Sequence, residues 1–329
     1  MPTASDLGER ALIQRITRRL AAPAWVVVGP GDDAAVVEPQ RGTLDVFTTD
    51  AQVEGVHFDH RFMPPDAIGH RALAVNLSDL AAMGARPRMA LLSLVLPGAL
   101  DVAIVDGLLD GMLRVAESHR VAIVGGNISR SPGPMMIDVT AIGSIGRRRA
   151  LTRRGARPGD IVFVTGTIGD AVVGLESLRD RADQQAGPSR QKFLYPEARV
   201  RAGTLLAGNR AATACMDLSD GLADGVRQIA EASGVGMSID AETLPVTDEV
   251  RRWHEARGRH PLESAVAGGD DYELLFTVRP SHLGRLRAVQ RLVGTLPLTR
   301  IGVVTRERTL VVRYLDGARE LPPGFEHFS

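Results

Sequence analysis

Gly29-Pro30-Gly31-Asp32-Asp33-Ala34-Ala35-Val36-Val37, followed by Leu44 to Thr48-Thr49-Asp50, is the stretch from which the fold is read. Two adjacent carboxylates occupy a Gly/Pro turn between Val-rich runs, as expected where strand ends meet at a sharp bend and project their side chains. A turn alone needs only one Asp, bonding its own backbone. A pair followed by a strand-end Thr-Asp points further, because carboxylates this close repel unless a cation joins them. Hard oxygen donors of this kind suit Mg²⁺. Asp79, Asp217, Asp220, Asp270 and Asp271 lie in similar settings, and the expectation is that they converge on one metal–phosphate site.

Outward from that stretch, apolar spacing predicts a helix over 5–20 capped by Ser5, and strands over 25–28, 34–37 and 44–49, the last ending just before Asp50. Residues 53–58, with His57, read as a loop. A helix runs from Pro65 to about Gly84 and carries Asp79 on its polar face. A strand over 89–96, a helix over 101–119 and a strand over 121–124 follow. The last runs into Gly125-Gly126-Asn127, read as a turn able to point N–H groups at an anion, with Arg130 beside it. Residues 135–145 complete this half.

The Arg-, Gly- and Pro-rich run 147–160 marks a boundary, giving domains 1–148 and 149–329. The second half opens with a strand over 161–164, the turn Thr165–Gly169 and a helix from Asp170. Later come a strand ending at Asp217-Leu218-Ser219-Asp220-Gly221, a helix over 222–233, and Gly268-Gly269-Asp270-Asp271 leading into a strand over 272–277. Strands alternating with helices imply an α/β (α+β) fold.

Composition excludes several classes. The 329 residues carry no net charge and 4% aromatics, so neither a basic field nor a stacking platform for nucleic acid is present. No apolar run is long enough to span a bilayer, and the N-terminus lacks signal-peptide character. Cys215 is alone, which excludes an intrachain disulfide and Cys-based zinc. A cytoplasmic enzyme fits. Lys192 is the single lysine and has no glycines around it, so Walker-type and protein-kinase-type phosphate sites are excluded. Any ATP must be held by metal ions, arginine and backbone amides.

Most candidates have a structural alternative. Asp32 and Asp33 serve a turn as well as a metal; Ser219 or Asp220 caps a helix while binding a ligand. Asp217, at a strand end, has no such second purpose. Lone histidines are commonly structural, and a phosphate nucleophile needs no strong base, so His57 is assigned a substrate contact rather than proton transfer.

The chain resembles the thiamine-monophosphate kinase family, within the superfamily of aminoimidazole ribonucleotide synthetase and selenophosphate synthetase. The resemblance rests on GDDAAVV (31–37), TTDAQVEGVHF (48–58), NLSDLAAMGARP (76–87), VGGNISRSPG (124–133), LTRRGARPGD (151–160), VTGTIGDAVVGL (164–175), DLSDGLADG (217–225), GGDDYELLFT (268–277) and GFEHF (324–328). It implies ATP-dependent phosphorylation of thiamine monophosphate to thiamine diphosphate. It also implies a two-domain fold, with an N-terminal sheet-and-helix domain forming a dimer barrel and a C-terminal α/β domain. Asp33, Thr48, Thr49, Asp50, Asp79, Asp217 and Asp220 then hold several Mg²⁺ ions, with Asn127 where the family often has Asp. Gly125, Gly126, Asn127, Arg153 and Ser219 contact ATP; His57, Asp270 and Phe325 contact the substrate, Asp270 standing where Glu is usual. Asp33, Asp50, Asp217 and Arg153 are the catalytic set, working by direct in-line transfer in a cleft between the halves. The alternatives are a related synthetase, a two-metal phosphohydrolase and a non-catalytic Mg-ATP module.

Overall fold

The computed structural model describes residues 2–180 and 187–324. Contacts divide the chain into two compact units, Met1–Leu80 with Arg86–Arg147, and Ala81–Ala85 with Arg148–Ser329.

In the first unit, β1 (Val26–Val28) and β2 (Val36–Val37) pair antiparallel and frame the Gly31-Asp32-Asp33 turn. The strands β3 (Thr43–Val53), β4 (Arg86–Pro97), β5 (Ala122–Ser131) and β6 (Met136–Gly146) form a sheet of order β3-β6-β4-β5. β4 and β5 are parallel and joined through the helix Val102–His119, while the other pairs are antiparallel. Alternation puts Ala90, Leu92, Leu94 and Leu96 on a buried face of the sheet. Phe47, Leu91 and Met136 share the open face and are 69%, 40% and 37% exposed.

Four expectations change here. β3 continues through Asp50, opposite Val139, to Val53, so Asp50 lies within the strand. β5 likewise runs through Gly125-Gly126-Asn127, which are paired to Leu91, Leu92 and Ser93 rather than forming a turn. In both cases a continuous partner strand satisfies the backbone and overrides the local turn signal. The first helix breaks at Gly8 (φ 77°) into Ala4–Leu7 and Glu9–Thr17, and Thr3, not Ser5, caps it in a reciprocal pairing with Asp6. The helix Pro65–Ala82 is not amphipathic: even Asn76 and Ser78 are wholly buried.

The second unit holds β7 (Ile161–Thr165), β8 (Ala214–Asp217), β9 (Gly236–Asp240), β10 (Leu274–Val278), β11 (Leu298–Thr305), β12 (Leu310–Tyr314) and β13 (Gly317–Glu320). Their order is β13-β12-β9-β11-β7-β10-β8, antiparallel except for β9 with β12. Val162, Val164, Met216, Leu275 and Ile301 form the core with Val226 and Ile229 of the helix Leu222–Ser233. Because β10 runs antiparallel to both β7 and β8, the ends of those two strands meet the start of β10. That adjacency gathers three loops at one end of the sheet.

Candidate functional site

The three loops of the second unit are Thr165–Gly169, Asp217–Gly221 and Gly268–Asp271. Backbone bonds lace the last two together: Leu218 N–H donates to Glu273 O at 2.8 Å, Asp270 N–H to Ser219 O at 2.7 Å and Tyr272 N–H to Leu218 O at 2.9 Å. The glycines are required by this proximity. A Cβ on Gly221 would lie 2.3 Å from Gly268 O, and one on Gly269 would lie 2.6 Å from Ser219 O. Asp217 ends β8 and is only 5% exposed, while Ser219 donates to Asp220 Oδ2 at 3.3 Å. Asp217, Ser219, Asp220 and Asp270 therefore occupy neighbouring loops.

Behind these loops lies a buried polar layer whose members Arg199 and Glu273 were not singled out in the sequence, and which takes in Asp271, expected at the metal–phosphate site but buried against backbone N–H groups. Glu273 accepts from Arg199 Nε at 2.7 Å, Arg199 Nη2 at 2.6 Å and Thr165 Oγ1 at 2.6 Å. Thr165 Oγ1 in turn accepts the Leu274 N–H at 2.8 Å. A charged Glu directly before the buried Leu274–Val278 run was the available signal for Glu273; Arg199 had none. Asp271 accepts from the N–H groups of Gly169 at 2.7 Å and Ala171 at 3.3 Å. Burial pushes its carboxyl up to about 8, against the lowering pull of those two bonds.

In the first unit, Thr48 donates its hydroxyl to the Asp79 carboxylate, bringing β3 to the helix Pro65–Ala82. Asp50 shares that face of β3 by alternation. Thr49 points the other way, its Oγ1 bonding Asp138 Oδ1 at 3.2 Å and Thr140 Oγ1 at 3.1 Å. Asn127, in register with Ser93 and Asp138, is on Thr49's face. Any Thr49 contribution on Asp50's side comes from its carbonyl. Asp32 accepts the Asp33 N–H at 2.9 Å, shaping the turn in which Asp33 is exposed. His57 Nδ1 accepts the Val53 N–H at 3.1 Å, which sets the Nε2–H tautomer of the neutral ring. Gly125 and Gly126 lie on the edge strand, where a Cβ on Gly126 would come 1.9 Å from Leu92 O.

Arg153 lies on the second unit and donates to Gln228, itself bonded to Asp224 on the helix Leu222–Ser233. Beside that helix, Asp224, Arg227 and the segment Glu320–Gly324 line a cavity of about 550 Å³. Phe325 lies outside the described residues. Cys215 is buried, and burial with the Asp217 charge holds its thiol protonated, so it offers no nucleophile.

The donor set is one of carboxylates, hydroxyls and carbonyls, and these hard oxygens fit Mg²⁺ rather than a soft metal. Among the described residues, no three His, Cys, Asp or Glu side chains are already grouped as a metal cage. No helix among them is long and apolar enough to cross a membrane.

A mixed four-stranded sheet with a paired-Asp hairpin, followed by a seven-stranded sheet with Gly-Asp loops at one end, defines the class. Residues 31–145 match the N-terminal domain, and residues 157–315 the C-terminal domain, of AIR synthase related proteins. The thiamine-monophosphate kinase of Aquifex aeolicus is 37% identical over 326 residues, covering 98% of this chain and 99% of that one. The crystal structure of thiamine-monophosphate kinase from Stenotrophomonas maltophilia superposes with a TM-score of 0.82 at 37% identity, covering 94% of this chain and 96% of the other. A structure of AaThiL complexed with AMPPCP and TMP gives 0.78 at 37% identity and 98% coverage of both chains. The chain belongs to the thiamine-monophosphate kinase family.

Proposed function

We propose that this protein catalyses ATP-dependent phosphorylation of thiamine monophosphate to thiamine diphosphate in the cytoplasm. The observation that carries the proposal is the close lacing of the Asp217–Gly221 and Gly268–Asp271 loops, on a chain that aligns end to end with thiamine-monophosphate kinases. The AaThiL complex with AMPPCP and TMP supports the choice of both substrates.

Asp33, Thr48, Thr49, Asp50, Asp79, Asn127, Asp217 and Asp220 are the residues that would hold several Mg²⁺ ions. Bound there, Mg²⁺ supplies charge neutralisation between two polyanionic substrates. The chain's own groups do the rest. Gly125, Gly126 and Asn127 offer backbone to the nucleotide, Ser219 a hydroxyl, and Arg153 a guanidinium for the transferred group. His57, Asp270 and Phe325 hold thiamine monophosphate so that its phosphate oxygen lies in line with the terminal phosphorus of ATP. That oxygen is the nucleophile; the bond to ADP breaks as the new P–O bond forms, and no protein group is phosphorylated. With Cys215 buried and protonated, the direct route is the one these residues favour.

A homodimer through the first unit completes the proposal, with the open face bearing Phe47, Leu91 and Met136 as its contact. Incubating the full chain with ATP, Mg²⁺ and thiamine monophosphate tests the activity. Thiamine diphosphate and ADP in equal amounts are expected. Phosphate release without ATP would point to a phosphohydrolase, and binding without turnover to a nucleotide-binding module.

A further inference from the structure

Asp270 and Tyr272 both adopt left-handed backbone, φ 65° and 51°, although neither is glycine. Such conformations persist in residues with side chains only when their surroundings impose them. Here the imposition comes from two directions. The N–H groups of Asp270 and Tyr272 are tied to Ser219 O and Leu218 O at 2.7 and 2.9 Å. Between them, the Asp271 carboxylate reaches the other way, gripping the Gly169 and Ala171 N–H groups at 2.7 and 3.3 Å. Three successive residues are thus pulled alternately to one loop and the other, and the first and third of them are the left-handed ones.

The anchor that Asp271 grips is itself held. Asp170 accepts from Thr167 Oγ1 at 2.6 Å, Thr247 Oγ1 at 3.0 Å, Ser189 Oγ at 3.2 Å and Lys192 Nζ at 3.0 Å. Its side chain is almost wholly buried. The single lysine of the chain thus lies against the start of the helix Asp170–Arg179, where it pairs with Asp170 and works against the rise that burial imposes on the Asp271 carboxyl. On the far side, Tyr272 Oη donates to Asp270 Oδ1 at 3.0 Å, fixing the carboxylate that the twist presents.

We propose that Asp271 is a positioning residue for the thiamine substrate: its grip on Gly169 and Ala171, with the Tyr272 hydroxyl, holds the Asp270 carboxylate in its binding orientation. The inference rests on the proposed role of Asp270 as a substrate contact. It explains why this segment carries side chains at two left-handed positions where glycine would be free of strain.

The test is steady-state kinetics on the full chain with both substrates varied, for wild type, Asp271→Asn and Tyr272→Phe. An Asn side chain accepts one N–H but turns its own amide hydrogens toward the other. Asp271→Asn is expected to raise KM for thiamine monophosphate about tenfold, and Tyr272→Phe about threefold, each on the scale of one lost hydrogen bond, with KM for ATP changed less than about twofold. Both variants keeping the wild-type KM for thiamine monophosphate while losing only melting temperature would mean a structural role and would overturn the inference. Should Asp271→Asn fail to fold, Tyr272→Phe decides, since it removes a single oxygen. A wild-type protein that makes no thiamine diphosphate overturns the function itself, an outcome visible before any variant is compared.

Discussion

Arg199 and Glu273 form a two-pronged ion pair inside the second unit, Nε to Oε2 at 2.7 Å and Nη2 to Oε1 at 2.6 Å, with side chains 13% and 1% exposed. The pair lies directly behind the loop end that carries Gly166 and Thr165, so Glu273 ties the end of β7 to the start of β10 through Thr165 as well as neutralising the arginine. Glu273→Gln leaves a buried guanidinium facing an amide. A loss of about 3 kcal/mol in urea-unfolding stability is expected, because the guanidinium keeps its desolvation cost with only the exposed Glu197 carboxylate, 2.7 Å from Nη1, left as a charged partner. Arg199→Met combined with Glu273→Leu should recover much of that loss, which a double-mutant cycle would measure.

A second charged cluster predicts how stability depends on pH. Arg259 grips Glu176 at 2.6 and 2.5 Å, and Trp253 Nε1 adds a bond at 2.7 Å. The Arg259 bonds, more than burial opposes them, bring the Glu176 carboxyl from the ordinary 4.5 to about 2. A pKa depressed in the folded state contributes stability that is present above about 4.5 and lost as pH falls towards 2. Glu176→Gln should therefore destabilise the protein at pH 7 and lose that difference progressively below pH 4.5. A stability gap between variant and wild type that stays constant from pH 7 to pH 3 would contradict the assignment.

Asp50 and Asp217 belong to different units and carry the same expectation. Each is proposed as a metal ligand, so replacing either carboxylate by Asn should lower kcat by roughly a hundredfold or more, the scale of lost electrostatic stabilisation in a transition state. Both residues sit in continuous strand ladders, and the melting temperatures should shift little. Turnover within a factor of about two of wild type, assayed as thiamine diphosphate formed, would remove that residue from the metal set.

The open face of the first sheet makes its own prediction. Phe47 is 69% exposed at the middle of β3, a heavy cost for an aromatic side chain left in water. If that face is the dimer contact, Phe47→Asp should give a monomer by light scattering where the wild type is a dimer. Identical masses would dissociate Phe47 from the contact.

The parts of this molecule that were legible in its sequence are those written locally. Paired Asp after glycine in the turn between β1 and β2, and Asp-x-Ser-Asp-Gly between β8 and a helix, each announce themselves within a few residues. The long helix Val102–His119 was likewise plain from apolar spacing, and the start of Pro65–Ala82 from its opening proline. Partner-dependent features were not. Asp50 and Gly125–Asn127 are strand because β6 and β4 pair with them. Gly236–Asp240 and Leu298–Thr305 carry Gly, Ser and Arg that blur alternation, yet both are interior strands of the seven-stranded sheet. Arg199 and Glu273 meet across 74 positions of chain, which no local pattern encodes.

Thr48 and Thr49 are adjacent threonines in one motif, but alternation along β3 gives them opposite surroundings. Thr48 donates its hydroxyl to Asp79, a proposed metal ligand, whereas Thr49 joins Asp138 and Thr140 on the other face. Valine replaces either residue with nearly the same shape and removes only the hydroxyl. Thr48→Val should remove one hydroxyl that the Asp79 carboxylate accepts from and deprive the proposed site of one oxygen, raising the Mg²⁺ concentration needed for half-maximal turnover about tenfold. Thr49→Val leaves its carbonyl in place, so its Mg²⁺ dependence should stay within about twofold of wild type. Its expected cost is a small loss of stability from the broken hydroxyl cluster. Titrating activity against Mg²⁺ for the two variants side by side separates the faces. Equal shifts in both, or a larger one for Thr49→Val, would show that the metal draws on the Thr49 hydroxyl and that β3 presents its other face to the chemistry.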